Sequence, residues 1–320
     1  MVAKRLLLRA AFVLLAAAST YAQFPTAPGN EHTKSYGVFK IKVNPAFVGL
    51  FTGCPGFASG IFTSPTLYDP HTEIGVSGVV PPAAYPGAQV GVNNATTGPS
   101  ITVDPGAYDP PLHPDPSHKR VITHMRTLHM TKAGTPITVD ISPWNPSSGT
   151  TRPSVGAVTS TGTTDFPADS FFQMFVQITL PPCGGLPGPV KLHNRSPREP
   201  LVVKASLPAG SHLPPTGIVY VHDETNVVPI RFLEDGGSRW KKDDVLGCIV
   251  FAGHGLAPSR ALEKLASADF EKKAAALARR HTAKACGNPG QGREKAGATN
   301  PPPPVTSSDT SPESSRTEER

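Results

Sequence analysis

Eleven histidines are the side chains in this sequence best suited to bind a metal or move a proton near neutral pH. His113, His118, His124 and His129 lie closest together, at spacings of five and six residues. A zinc site legible in a sequence shows tighter pairs of ligands on one element. On a regular strand His124 and His129, an odd number apart, also face opposite sides. The spacing therefore reads as exposed or hydrogen-bonded imidazoles. A metal-dependent enzyme or hydrolase would need several of His124, His129, His193, His222 and His254 to converge in one pocket, and these five are the candidate positions.

Two further constellations are weaker. His222-Asp223-Glu224 follows a strand-like run and could hold a cation or a carboxylate-oriented imidazole. Asp223-Glu224-Thr225-Asn226 also reads as a hairpin turn, because Asp and Asn bond their own backbone there; the turn is the expectation. Gly253-His254-Gly255 after an apolar run resembles an oxyanion-hole loop, but the Gly-x-Ser-x-Gly elbow that would serve it is absent from the chain. The His-Glu-x-x-His, phosphate-loop, Gly-x-Gly-x-x-Gly and calcium-loop patterns are absent too. No catalytic residue, metal or cofactor is assigned, and the reading leans away from an enzyme.

Stepping from side chains to the segments that carry them, Lys4, Arg5 and Arg9 precede an apolar run from Ala10 to Ala18, and small residues end at Ala22. That is the pattern of a secretory signal over residues 1–22. The run is about half of the roughly 20 residues a membrane span needs, and no second long apolar run follows, so the expectation is a secreted or periplasmic protein with no transmembrane segment after cleavage. Export places Cys54, Cys183, Cys248 and Cys286 where disulfides persist. Two bridges in any of three connectivities, or buried free thiols, remain open.

With 37 Pro and 30 Gly, the chain favours short strands and many turns over helix interiors. Residues 23–255 carry 16 basic against 16 acidic side chains, whereas residues 256–300 carry nine against four. The body is neutral and no nucleic-acid partner is expected. In Gly37–Val43, Phe39, Ile41 and Val43 alternate with Val38, Lys40 and Lys42 and give one apolar face. In Gln173–Leu180, Met174, Val176, Ile178 and Leu180 point one way and Gln173, Gln177 and Thr179 the other, with Phe175 the exception. Val121–Met130, Pro136–Ile141, Val190–His193, Leu201–Leu207, Ile218–Val221, Val227–Phe232 and Val245–Phe251 are further strands. Phe171, Phe172 and Phe175 read as core rather than as a partner-binding patch.

The expected fold class is mainly β, an antiparallel β-sandwich or barrel-like body with a C-terminal helix and a disordered tail. Along the chain this gives a Gly/Pro-rich β region at 23–110, a Pro-rich linker or long connection at 111–118, a β-sandwich-like domain at 119–255, a basic helix at 256–288 and a disordered tail at 289–320. Leu262, Ala266, Phe270, Ala274 and Leu277 form one helical stripe, expected to rest on the β body with a solvated basic face outside. The alternative, a basic extension that grips acidic polymers, predicts salt-sensitive retention on an anionic matrix. Asn94-Ala95-Thr96 and Asn194-Arg195-Ser196 match the N-glycosylation pattern, which in a bacterium is chance.

Asp165-Phe166-Pro167-Ala168-Asp169-Ser170-Phe171-Phe172, then Leu192-His193-Asn194, Leu213-Pro214-Pro215-Thr216-Gly217 and Val228-Pro229-Ile230, follow an order that resembles uncharacterised secreted bacterial β-rich proteins. The resemblance spans about residues 120–255 and rests on strand and turn chemistry. It implies the fold and export, and no activity. Arg195–Pro200 and the extension after Gly255 depart from it. The functional expectation is a non-catalytic envelope or extracellular module, structural or binding, with an extracellular or cell-envelope partner.

Overall fold

The computed structural model describes residues 23–80, 88–91, 101–103, 118–141, 153–194, 198–222, 228–257 and 263–280. The expected signal segment, the turn at Asp223–Asn226, the tail, His113 and Cys286 lie outside them.

Period-two alternation builds the long strands. In Gly29–Val43 (β1), Phe39, Ile41 and Val43 are buried and Val38, Lys40 and Lys42 half-buried, as the pattern predicts. A short helix follows at Val48–Phe51 (α1). The remaining strands are Phe57–Ala58 (β2), Ile61–Thr63 (β3), Leu67–Val76 (β4), Ala88–Val90 (β5), Ile101–Val103 (β6), Arg120–Thr127 (β7), His129–Lys132 (β8) and Thr135–Ile141 (β9). After these come Val155–Ser160 (β10), Ala168–Met174 (β11), Val176–Leu180 (β12), Val190–His193 (β13), Leu201–Leu207 (β14), Val219–His222 (β15), Val228–Phe232 (β16) and Val245–Ala257 (β17), before the helix Glu263–Arg280 (α2). β5 and β6 form a separate pair; all the others join one antiparallel sheet.

That sheet closes on itself twice. One circuit runs β1–β17–β15–β14–β11–β10–β7–β4 and back to β1, and the other β1–β4–β8–β9–β12–β13–β16–β17 and back to β1. The result is a ring rather than a regular barrel, because β1, β4 and β17 belong to both circuits. β17 manages this by changing partner along its length, pairing Ile249 with Val228 of β16 and His254 with Tyr220 of β15. A register shift between Lys40 and Ile41 of the facing β1 marks the change, and such bulges bend strands and sharpen their twist. Strands from the 23–110 and 119–255 regions thus share one sheet and one continuous apolar core.

The run expected at Val121–Met130 is divided at Leu128, and the run through Phe175 is divided between circuits: β11 pairs with β10 and β14, β12 with β9 and β13. At this second break the backbone would lose its ladder partners in a buried place. Two side chains replace them. The Phe175 N–H donates to Ser154 Oγ at 2.9 Å, and the Val176 N–H donates to Asn194 Oδ1 at 2.7 Å. Asn194 Nδ2 donates in turn to the carbonyls of Met174 and Glu199, each at 2.8 Å. Asn194 is only 1% exposed, so its glycosylation pattern is coincidental. Gln173, expected on the polar side, is buried instead, because it pairs with buried Val155 and Val202 where β11 is covered on both faces.

Cys54 and Cys183 form a disulfide with Cα atoms 5.1 Å apart, which selects among the open connectivities, and Cys248 is disulfide-bonded as well. Outside the ring, α2 lays Phe270 and Ala274 on Tyr36, Phe251 and Ala257, with Leu277 partly buried beside them. Its outer face carries exposed Glu271, Lys272 and Lys273. Phe270, Ala274 and Leu277 of the expected stripe therefore rest on the β body; the side chains of Leu262 and Ala266 lie outside the described ones.

Two stability changes follow from these contacts. Asn194→Leu strands two buried backbone groups, each worth about 1–3 kcal/mol, and a third that is half-buried, and is expected to lower the urea midpoint by the equivalent of ~3 kcal/mol or more; Ser154→Ala, losing one bond, should cost clearly less. Cys54→Ser with Cys183→Ser opens a cross-link spanning 129 residues and is expected to remove about 4–5 kcal/mol by chain entropy, read from the same denaturation curves.

Candidate functional site

The ring's interior is less apolar than its strands suggest. On β17, alternation sends Gly253 and Gly255 outward beneath α2 and His254 inward. The outward glycines serve packing: a Cβ on Gly255 would stand 2.8 Å from Phe270 Cδ2. The Gly-His-Gly sequence that resembles an oxyanion loop is here a strand whose bare face admits an aromatic ring.

Inside, His254 is 4% exposed and lies opposite Gly37 of β1 and Tyr220 of β15. The Tyr220 and His254 rings are 6.5 Å apart. The Tyr220 hydroxyl shares a 2.9 Å hydrogen bond with Ser170 Oγ of β11, and burial pushes the Tyr220 pKa upward against that bond. His222, two residues along β15 from Tyr220, shares its face and is also buried. Ser35 and Asp69, paired across β1 and β4, complete the inner polar group. The Asp69 carboxylate accepts from the His71 N–H at 2.8 Å, the Thr72 hydroxyl at 2.8 Å and the His129 N–H at 3.0 Å.

Of the five candidate imidazoles, His222 and His254 therefore sit on neighbouring strands inside the same circuit. The other three stand elsewhere. His124 is buried on the face of β7 opposite Val121 and Met125, both core residues. His129 is largely exposed and meets Asp140 through Nδ1. His193 on β13 places Nε2 3.3 Å from Asp243 Oδ1. The two groups lie close together without hydrogen-bond alignment. Beside it the Arg231 guanidinium grips Glu199 with two bonds of 2.9 and 2.6 Å, which raises the Arg231 pKa. Among the described residues no three of His, Cys, Asp or Glu converge as a metal cluster, and no helix is long and apolar enough to cross a membrane. Phe172 and Phe175 are core, as read from the sequence, while Phe171 is half-buried over a shallow outer depression with Asp169 and Lys204.

The inner cluster carries residues that sequence reasoning missed, namely Ser35, Asp69, Ser170 and Tyr220. Their only sequence signal is a polar residue at an inward position of a strand. No family model matches the chain, and neither the curated proteins nor the solved structures contain a match to it.

Burial lowers the His254 imidazole from 6.5 to about 4, opposed in part by the charge of Asp69. It lowers His124 to about 3, with the Arg126 guanidinium adding to the effect. Both rings are thus neutral in the fold above those values, while the unfolded chain takes up protons below about 6.5. Between pH 6.5 and 4 the unfolded state binds more protons, so stability is full above that window and falls as pH drops through it. A loss on the order of 3 kcal/mol per ring is expected, read as a falling urea midpoint from pH 7 to 4.5. His254→Gln should flatten that slope; an unchanged slope would show that His254 is not held neutral.

Proposed function

We propose that this chain works outside the cytoplasm as a non-catalytic module of the cell envelope or extracellular space, structural or binding in role. The observation that carries the extracellular half is the Cys54–Cys183 disulfide, because such cross-links persist in oxidising compartments and are rare in reducing ones. The basic-then-apolar leader fits the same address.

The non-catalytic half is supported by where the reactive groups lie. His254, His222, Ser170 and Tyr220 are each under a tenth exposed, walled in by strands that pair on both edges, and a substrate would have to part the sheet to reach them. Seclusion of this kind suits specification of the interior better than turnover.

A secreted hydrolase is the second reading, and one observation favours it: His129 is largely exposed and its Nδ1 meets the Asp140 carboxylate, the arrangement that orients a general base.

The full-length chain, expressed in an exporting bacterial host, is expected to accumulate outside the cytoplasm with Gln23 as its first residue and its cysteines oxidised, by intact mass before and after reduction. Cytoplasmic material that begins at Met1 with reduced cysteines overturns the extracellular reading. Incubated with chromogenic acyl and phosphoryl esters, it is expected to release product no faster than buffer; turnover abolished by His129→Ala or His193→Ala would establish the hydrolase instead.

A further inference from the structure

The chain has four methionines, and apart from Met1 they are Met125, Met130 and Met174. All three of these are buried. Met130 and Met174 line one cavity of about 40 Å³, where the two strand circuits meet, and among the described residues His254 is the one imidazole in its wall. The rest of that wall is aliphatic or aromatic, with Val203 and Ile249 among it.

Gly37 fixes how close the thioether comes to the ring. It is the direct cross-strand partner of His254, and a Cβ at Gly37 would lie 2.6 Å from Cε and 2.7 Å from Sδ of Met130. Met130 therefore occupies the space that any other residue at 37 would fill. Cross-strand Cβ positions stand about 5 Å apart, so the sulfur and the imidazole are neighbours across the cavity. Met174 enters from β11 at its last residue, held by the bond from Asn194 to its carbonyl.

The imidazole itself is unsatisfied. Among the described residues neither Nδ1 nor Nε2 of His254 has a hydrogen-bond partner, although the side chain is buried. A neutral ring in that position has a lone pair to offer and an N–H unspent, a state that costs free energy unless something in the cavity takes it up. The cavity exceeds the roughly 10–15 Å³ needed for a single small occupant. Among the described residues its donors are two thioethers and one imidazole, with no carboxylate in the wall, a set that prefers a soft, low-charge ion to zinc, calcium or magnesium. The Asp69 carboxylate acts on the same ring through its field, and so supplies a compensating negative charge for a monovalent cation without being a ligand.

We infer that His254, Met130 and Met174 form a buried three-donor site for a soft monovalent metal ion, copper(I). The inference deepens the binding reading above by giving it a ligand. The ion enters as the strands open or as the chain folds around it, which couples loading to folding.

Silver(I), which matches copper(I) in softness and undergoes no redox change here, is the probe. The full-length exported protein is titrated with it and then examined by native mass spectrometry and thermal melting. One equivalent bound, with a raised Tm, is expected; zinc(II) added alone should leave both readings unchanged. Met130→Leu and Met174→Leu are near-isosteric and should keep the circular dichroism of the parent while weakening silver(I) binding by about tenfold or more each. Silver(I) retained at full affinity by the double variant would place it on surface histidines and overturn the site, as would no binding to the unaltered chain. Should the variants fail to fold, X-ray absorption on the copper(I)-loaded parent decides: a shell of two sulfurs and one nitrogen supports the assignment, and a shell of nitrogen and oxygen alone overturns it. Export and disulfide formation are read separately, so loss of the metal site with both intact leaves the extracellular reading standing, and if export fails the same titration on chain purified from the cytoplasm and oxidised still decides the site.

Discussion

Buried backbone amides must find partners wherever a strand leaves one neighbour for another, and this fold meets that requirement at the gap between β11 and β12. The run from β11 to β12 passes from one circuit to the other, and at Phe175 and Val176 that passage takes two N–H groups out of their ladders. Ser154 and Asn194 accept them at 2.9 and 2.7 Å. Asn194 is the more consequential of the two, since its amide also donates to Met174 and Glu199 and so ties β11, β12 and the segment after β13 at one point. An apolar residue of the same size would pack there and leave the Val176 N–H and the Met174 carbonyl unpaired in a dry place, which is more costly than the loss of the contacts themselves.

The same economy accounts for the arrangement around β17. A strand shared by both circuits is covered on both faces, by the core within and by α2 outside, and such a strand can carry a side chain that neither solvent nor a ladder satisfies. Gly253 and Gly255 thin its outer face for Phe270, while His254 fills the inner one. Cooler chemistry would have placed an aliphatic residue at 254, as at Ala252 and Leu256 on the same face. A buried imidazole is a standing cost at acidic pH and a donor set at neutral pH, and the thioethers beside it supply the reason to keep it.

Much of the architecture was legible in the sequence, and the reasons divide by range. Gly37–Val43, Leu201–Leu207 and Val245–Phe251 announce themselves by local alternation or by unbroken apolar runs, and they appear as strands. The stripe through Phe270 and Ala274 is equally local. β4 shows no clean alternation in the sequence because Leu67–Val76 contains Asp69-Pro70-His71-Thr72 in its middle, an irregular stretch in which the Asp69 carboxylate accepts the His71 N–H. Gln173 was assigned to the polar side because alternation reports which residues share a face, and says nothing of whether a second layer covers the other. The Cys54–Cys183 pairing was one of several open alternatives, since it joins positions 129 residues apart.

The inner site lay beyond such reading for a related reason. Gly37, Met130, Met174 and His254 come from β1, β8, β11 and β17, and only the closure of both circuits sets them around one cavity. Motif logic looks for ligands at short spacing on one element, where helix pitch or a turn can aim them together. In a ring of paired strands the corresponding unit is the cross-strand register, which joins residue 37 to residue 254 and has no counterpart along the chain. Glycine is the visible half of that unit. At Gly37 the backbone has no need of a left-handed turn, and the absent side chain is explained by the Met130 thioether that occupies its place. An extended glycine in the middle of a long strand therefore points to the group that fills its shadow, and here that group stands beside the His254 imidazole in the cavity wall.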